Sequence, residues 1–328
     1  MNPDARQPLV AVTGASGFVG RHLLRHLQRT GQPALAVSRR GCGGLTGVRD
    51  IALTSYANGA TLARTFEGVD TVVHLAARAH QDGGGDDSGR LFHEANVETT
   101  LHVADAAVRA GVRRVVLVSS IGVNGTRTHG QAFTDADSPR PTELYAISKW
   151  KAEQALSGRL AGSATGFVIL RPPLVYGPGC PGNFGRLVSM IARWPLVPLG
   201  GLHAPRTFIG AENLVDAILL AARHPAVNGH THLVADGRDL SVAEVVTVLA
   251  SVLHPGRQVL VTLPAGLLAA LARLAGRADT WEKLAAPLQV DAGGFRGATG
   301  WVPPVDPIEG LLETARQFAG PRYRRPAR

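Results

Sequence analysis

The chain is 328 residues long, 45% hydrophobic and 18% charged, a composition that excludes disorder as the default and allows one large core or two lobes sharing a boundary. Its formal charge is +9, yet only Lys149, Lys151 and Lys283 are lysines among 34 basic residues. The arginines are scattered without interleaved aromatics, so no nucleic-acid partner is expected and the excess charge is a solvated surface that also suits anionic small molecules.

Taken in order, the chain starts with a polar stretch, Met1 to Pro8, that carries Asp4 and Arg6 and lacks the sections of an export signal, so a cytoplasmic location is expected. Brief apolar runs at 9–13, 34–38, 71–75, 115–119 and 167–170 alternate with amphipathic stretches of helix length at 20–29, 91–110 and 145–160. This alternation predicts right-handed βαβ crossovers, hence an α/β fold whose parallel sheet carries helices on both faces. Cys42 and Cys180 sit in no disulfide framework, metal-binding or redox spacing, so no metal is expected. After Arg171 the breakers Pro172, Pro173, Gly177, Pro178, Gly179, Pro181 and Gly182 mark a lobe boundary. Residues 1–171 are read as a nucleotide-binding domain to which 207–236 return with a helix at 213–223 and a strand near 232–234. Residues 172–206 and 237–320 are read as a smaller C-terminal α/β lobe, and 321–328 as a flexible basic tail. Ser241 followed by Glu244 predicts a capping box opening a helix at 242–253. The stretch 259–275 is broken by Thr262, Pro264, Gly266 and Arg273, so it is expected to pack as a helix and no membrane partner is predicted.

Gly14, Gly17 and Gly20 fall in Thr13-Gly14-Ala15-Ser16-Gly17-Phe18-Val19-Gly20, between the first strand and the first helix. Glycine there allows a tight turn and close approach of backbone N–H groups to a pyrophosphate, and the helix N-terminus attracts the anion. The expectation is a doubly wound, Rossmann-type dinucleotide site that includes Ser16, Phe18 and Val19. At the end of the second strand Ser38-Arg39-Arg40 offers two cations and no acid, which favours the 2′-phosphate of NADP(H), with NAD(H) the alternative. Asp50, with Ile51 beside it, is a candidate acceptor for the adenine amino group. Tyr145 and Lys149 stand four apart near a helix start and share a face. An ammonium beside the phenol is expected to lower its pKa from about 10 towards neutrality, making it a usable acid and base. Ser119-Ser120 ends the fifth run, where a hydroxyl can donate to a substrate oxygen.

Together, Thr13 to Gly20, His74-Leu75-Ala76-Ala77, Asn96, Val118-Ser119-Ser120, Tyr145 with Lys149, and Arg171-Pro172 with Tyr176-Gly177-Pro178-Gly179 resemble the extended short-chain dehydrogenase/reductase family. The resemblance continues in Arg206-Thr207-Phe208-Ile209, Asn213-Leu214-Val215-Asp216-Ala217 and Gly300-Trp301-Val302-Pro303, so it covers nearly the whole chain. It implies Tyr145 as acid/base, Lys149 as its partner and ligand of the nicotinamide ribose, and Ser120, with Ser119 beside it, as the group that polarises the reacting oxygen. It also implies cofactor contacts at Leu75, Ala76, Ala77 and Asn96. Arg206 would grip the diphosphate of a nucleotide-sugar, and Asn183 would lie in the loop that meets the same ligand. Family dehydratases carry an Asp-Glu pair directly after the catalytic Ser or Thr, and here Ile121 and Gly122 stand there, so dehydration is not expected. Asn124-Gly125 and Leu174 depart from the usual pattern as well. The implied activity is hydride exchange at C4 of a nucleotide-sugar, a UDP-linked hexose or N-acetylhexosamine, by a homodimer. It leans towards 4-keto-reduction with exchangeable NADPH. A 4-epimerase holding NAD is the alternative, and a non-catalytic NADP-sensing regulator is the reading from another class.

Overall fold

The computed structural model describes residues 7–79, 87–274, 276 and 278–320. Among them ten strands run in chain order: β1 Val10–Thr13, β2 Ala34–Ser38, β3 Val48–Ala52, β4 Thr71–His74, β5 Arg114–Val118, β6 Gly166–Arg171, β7 Leu174–Tyr176, β8 Arg206–Gly210, β9 Thr231–Leu233 and β10 Asp239–Leu240. Seven form a wholly parallel sheet in the order β3-β2-β1-β4-β5-β6-β9. β1, β2 and β4 are buried along their whole length, which is why they read as unbroken apolar runs instead of alternating ones.

The α-helices are α1 Phe18–Arg29, α2 Gly59–Thr65, α3 Ser88–Phe92, α4 Thr99–Arg109, α5 Leu144–Leu160, α6 Gly182–Arg193, α7 Ala211–Arg223, α8 Val242–Leu253, α9 Ala265–Leu274, α10 Ala278–Ala285, α11 Gly293–Thr299 and α12 Pro307–Ala319. Leu23, Leu24 and Leu27 of α1 join Leu214 and Ile218 of α7 in one core, while Leu62 of α2, Val103 and Ala107 of α4 and Leu156 of α5 join a second. The chain runs outward from β1 to β3 and then crosses back to β4 on the other side of β1. The crevice at the carboxyl ends of β1 and β4 is therefore the switch point at which doubly wound sheets bind ligands.

Three features differ from the sequence reading. The single helix expected at 91–110 is α3 and α4 joined by a π-helical turn, His93–Glu98, a distortion that inserts an extra residue and often marks a functional site. The stretch 207–236 divides: β8 pairs with β7 and β10 in a separate three-stranded sheet, α7 packs on α1, and β9 adds to β6. Phe295 and Trp301 of the C-terminal part return to the first core, because the indole needs both burial and an acceptor, which Asp216 of α7 supplies at 2.8 Å.

The C-terminal lobe has its own core of Phe184 and Val188 from α6, Val246 and Leu249 from α8 and Leu311 from α12. The Ser241/Glu244 capping box opens α8. α9 packs only in part, since Leu267 and Leu274 are exposed. No helix among the described residues is long and apolar enough to cross a membrane. The basic tail expected at 321–328 lies outside the described residues.

Candidate active site

The glycine loop follows β1 and opens α1. Gly14 has φ +67°, and a Cβ there would stand 2.6 Å from the backbone nitrogen of Ala76; a Cβ on Gly20 would stand 2.6 Å from the Gly14 carbonyl oxygen. These two glycines thus let the loop nest against Leu75 and Ala76 and let the helix close on it. Gly17 is the N-cap of α1, with no side-chain cap and no acid in the first turn, so the helix N-terminus presents its N–H groups to an anion. Ser16 is exposed, Val19 and Phe18 are half-buried, and the Phe18 ring meets His22 edge-on. The Tyr56 hydroxyl, which no sequence signal marked, accepts from the Gly14 N–H and donates to the Val37 carbonyl, both at 3.4 Å. This is a cradle into which a dinucleotide pyrophosphate fits.

Across the crevice, α5 carries Tyr145 and Lys149. Lys149 is 2% exposed; burial pulls its pKa down to about 8, partly offset by the Glu153 carboxylate one turn further on. Burial also pushes the Tyr145 phenol up to about 12, which corrects the expectation of a value near neutrality. Desolvation is the cause, since a phenolate taken out of water is disfavoured, and the phenol holds its proton in the protein alone. Ser120 is half-buried and caps the short turn Ile121–Val123, its Oγ accepting from the Gly122 N–H at 3.1 Å. A Cβ on Gly122 would lie 3.3 Å from that of Ala146, and this close approach brings Ser120 to the start of α5. Adjacent residues of an extended segment face opposite ways, and accordingly Ser119 is buried, with no hydrogen-bond partner for its Oγ among the described residues.

Asn96 is held in the π-helical turn. Its Oδ1 accepts from the Arg78 N–H at 2.7 Å, and its Nδ2 donates to the Arg78 carbonyl at 3.2 Å and to Ser148 Oγ at 2.8 Å. Ser148 in turn donates to the Tyr145 carbonyl at 2.7 Å. Asn96 thus clamps the loop after Ala77 to the helix that carries Tyr145, and the π-helical turn is what aims it there.

Beneath α5 lies a buried cluster that the sequence did not reveal. Arg171 donates from Nε and Nη2 to the two oxygens of Glu153, at 3.0 and 2.6 Å, and from Nη1 to Asn124 Oδ1 at 2.9 Å. The unusual Asn124 is thereby explained, and its neighbour Gly125 would bring a Cβ within 2.9 Å of the Phe133 ring. The available signal was Glu153 four residues after Lys149 together with an arginine ending β6.

These features occur in a sequence matched over residues 10–235 by the model of the NAD dependent epimerase/dehydratase family. The chain belongs to that family. It is 33% identical to a UDP-glucose 4-epimerase of Vibrio cholerae over 323 residues, which are 96% of this chain and 97% of the relative. Among solved structures it resembles MoeE5 in complex with UDP-glucuronic acid and NAD, with a TM-score of 0.74 and 25% identity over 94% of this chain and 98% of that one. It also shares its fold with a UDP-N-acetylglucosamine 4-epimerase from Bacillus cereus, at a TM-score of 0.76 and 18% identity over 96% of this chain and 97% of the other.

The remaining candidate residues of this family member stand as follows. Arg39 and Arg40 are exposed at the end of β2. Asp50 Oδ2 accepts from the Cys42 N–H at 2.7 Å, so this carboxylate shapes the turn after Arg40; Ile51 is half-buried beside it. Ala77 is exposed at the crevice, and Asn183 is exposed in the first turn of α6. Arg206 opens β8, and its Nη1 donates to the carbonyls of Lys283, at 2.6 Å, and Ala286, at the end of α10. The guanidinium therefore already binds a helix C-terminus, a favourable place for a cation, and burial pulls its pKa down. If it also holds a substrate diphosphate, Arg206→Lys is expected to weaken binding of free UDP about tenfold while nicotinamide-cofactor affinity stays unchanged, measured by calorimetry.

Proposed function

We propose that the chain exchanges hydride at C4 of a UDP-linked hexose as a 4-epimerase. The observation that carries this reading is the Tyr145 phenol on the same helix as the buried Lys149 ammonium, next to the Ser120 turn, with Ile121 and Gly122 offering no acidic pair for water elimination. The similarity to a UDP-glucose 4-epimerase over the whole chain supports the hexose and the base.

A nicotinamide cofactor held at the glycine loop would supply the hydride acceptor. This chain's own residues do the rest. Ser120 Oγ has one lone pair occupied by the Gly122 N–H and points its proton at the substrate oxygen. Tyr145 Oη takes the proton of the C4 hydroxyl as that oxygen becomes a carbonyl, and returns it when the carbonyl is reduced. The Lys149 ammonium stabilises the phenolate before that proton is taken and after it is returned. Incubating the purified protein with UDP-glucose, UDP-galactose and their N-acetylamino counterparts, with no cofactor added, should interconvert one C4 pair. Conversion of a 4-keto-sugar only when NADPH is added would instead support the second reading, a 4-keto-reductase.

That second reading is favoured by Arg39 and Arg40, which follow β2 with no acid beside them to meet a ribose hydroxyl. If they clasp a 2′-phosphate, changing both to alanine should weaken NADPH by about ten- to a hundredfold and leave NADH nearly unchanged, as read by fluorescence titration. Equal losses for both cofactors would remove the support for NADPH.

A further inference from the structure

His74 has no part in the chemistry above, although it ends β4 beside the crevice-lining Leu75, Ala76 and Ala77. It is 1% exposed, and both ring nitrogens are engaged: Nδ1 lies 2.6 Å from Thr13 Oγ1, and Nε2 lies 3.1 Å from Thr100 Oγ1. Thr100 has a single hydroxyl proton, and it is directed at the Asn96 carbonyl 2.6 Å away. A carbonyl only accepts, so towards His74 the Thr100 oxygen can only accept, which places the ring proton on Nε2. Nδ1 then accepts from the Thr13 hydroxyl.

The series of bonds has two ends. Thr13 is the last residue before Gly14 of the glycine loop, and it pairs in register with His74 across β1 and β4. At the other end Asn96 leads through Ser148 to the backbone of Tyr145. A second proton on the imidazole is opposed: burial, and then the Lys149 ammonium on α5, hold the His74 pKa down to about 3. Thr13 and Thr100 offer no negative charge, and the carboxylate of Glu153 is taken by Arg171.

We propose that His74 is a positioning residue for the Tyr145–Lys149 pair: a neutral imidazole, protonated on Nε2 alone, that ties the glycine loop to the Asn96–Ser148 clamp and adds no positive charge beside Lys149. The inference rests on Tyr145 and Lys149 being the reacting pair, and extends that reading to a residue outside the crevice.

Nitrogen-15 spectra of histidine-labelled full-length protein, with His74→Asn to assign the signal, test the tautomer directly. The ring should keep the pattern of a single Nε2 proton from about pH 8 to about pH 5, across the range where an ordinary histidine, near 6.5, becomes charged. A ring that titrates with the exposed histidines, or that carries its proton on Nδ1, overturns the proposal. The positioning role is tested with the near-isosteric Thr100→Val, which strands the Nε2 proton. Turnover should fall about tenfold with KM within about twofold, and the midpoint of the Tyr145 phenolate absorbance should rise, with Tyr145→Phe as the blank. If melting temperature drops while turnover and phenolate midpoint stay put, His74 is packing only and the proposal fails. Wild-type protein inactive on every nucleotide-sugar would instead sink the substrate reading alone, since the nitrogen spectra and the phenolate titration need no substrate.

Discussion

Tyr145→Phe is expected to lower turnover by ~10²-fold or more while the fold and cofactor affinity remain as in the wild type, because the change deletes one oxygen and with it the proton carrier. The ring itself stays in place against Phe92, 6.3 Å away between centroids. Near-normal rates in the purified variant would remove Tyr145 from the mechanism. The partner residue sets the pH behaviour. The Lys149 ammonium is lost as pH rises through about 8, so turnover should decline on the alkaline side of that value. Stability should move the other way. The folded value of Lys149 lies below its usual 10.5, so between about 8 and 10.5 the folded chain binds fewer protons than the unfolded one, and stability rises with pH across that window. A pH–rate profile and denaturation midpoints taken in the same buffers would separate the two trends.

Breaking the buried pair under α5 is expected to be the most destabilising single change. Arg171→Met leaves the Glu153 carboxylate and the Asn124 amide oxygen without their donors, in a place where Glu153 is 4% and Asn124 2% exposed. Removing one partner of a buried ion pair costs ~3–5 kcal/mol, whereas replacing both by apolar side chains of similar size is often close to neutral. Urea denaturation should therefore show a large loss for Arg171→Met and a substantial recovery in Arg171→Met/Glu153→Met. If the double variant is no better than the single one, the cluster acts through packing and not through charge. Glu153 also supports the Lys149 ammonium, so Glu153→Gln should move the alkaline limb of the rate profile to lower pH.

Much of the main sheet was legible because its cause is local. A strand covered on both faces is a short apolar run with polar residues only near its ends, and 9–13, 34–38 and 71–75 are read as such runs in the sequence. The glycine spacing was equally plain, since the backbone approach at Gly14 and Gly20 tolerates no side chain. The i, i+4 spacing of Tyr145 and Lys149 needs only a helix to put them on one face. The helix at 91–110 was harder to read. Its amphipathic pattern is right, but nothing in a pattern shows the π-helical turn at His93–Glu98, which answers to partners at Arg78 and Ser148.

By itself the sequence determined the α/β alternation, the dinucleotide loop, the family and the identities of the residues that resemble its reacting groups, because each of these depends on neighbours within about one turn of helix or one strand. Only the tertiary structure decided what those residues experience. The direction of the Tyr145 shift follows from desolvation by the surrounding fold, a quantity that no spacing encodes. Glu153 and Asn124 meet Arg171 across 18 and 47 residues, and Arg206 reaches the end of a helix 77 residues downstream. The proton on His74 is placed by Thr100, 26 residues away, through a hydrogen bond that exists only once β4 and α4 have packed together.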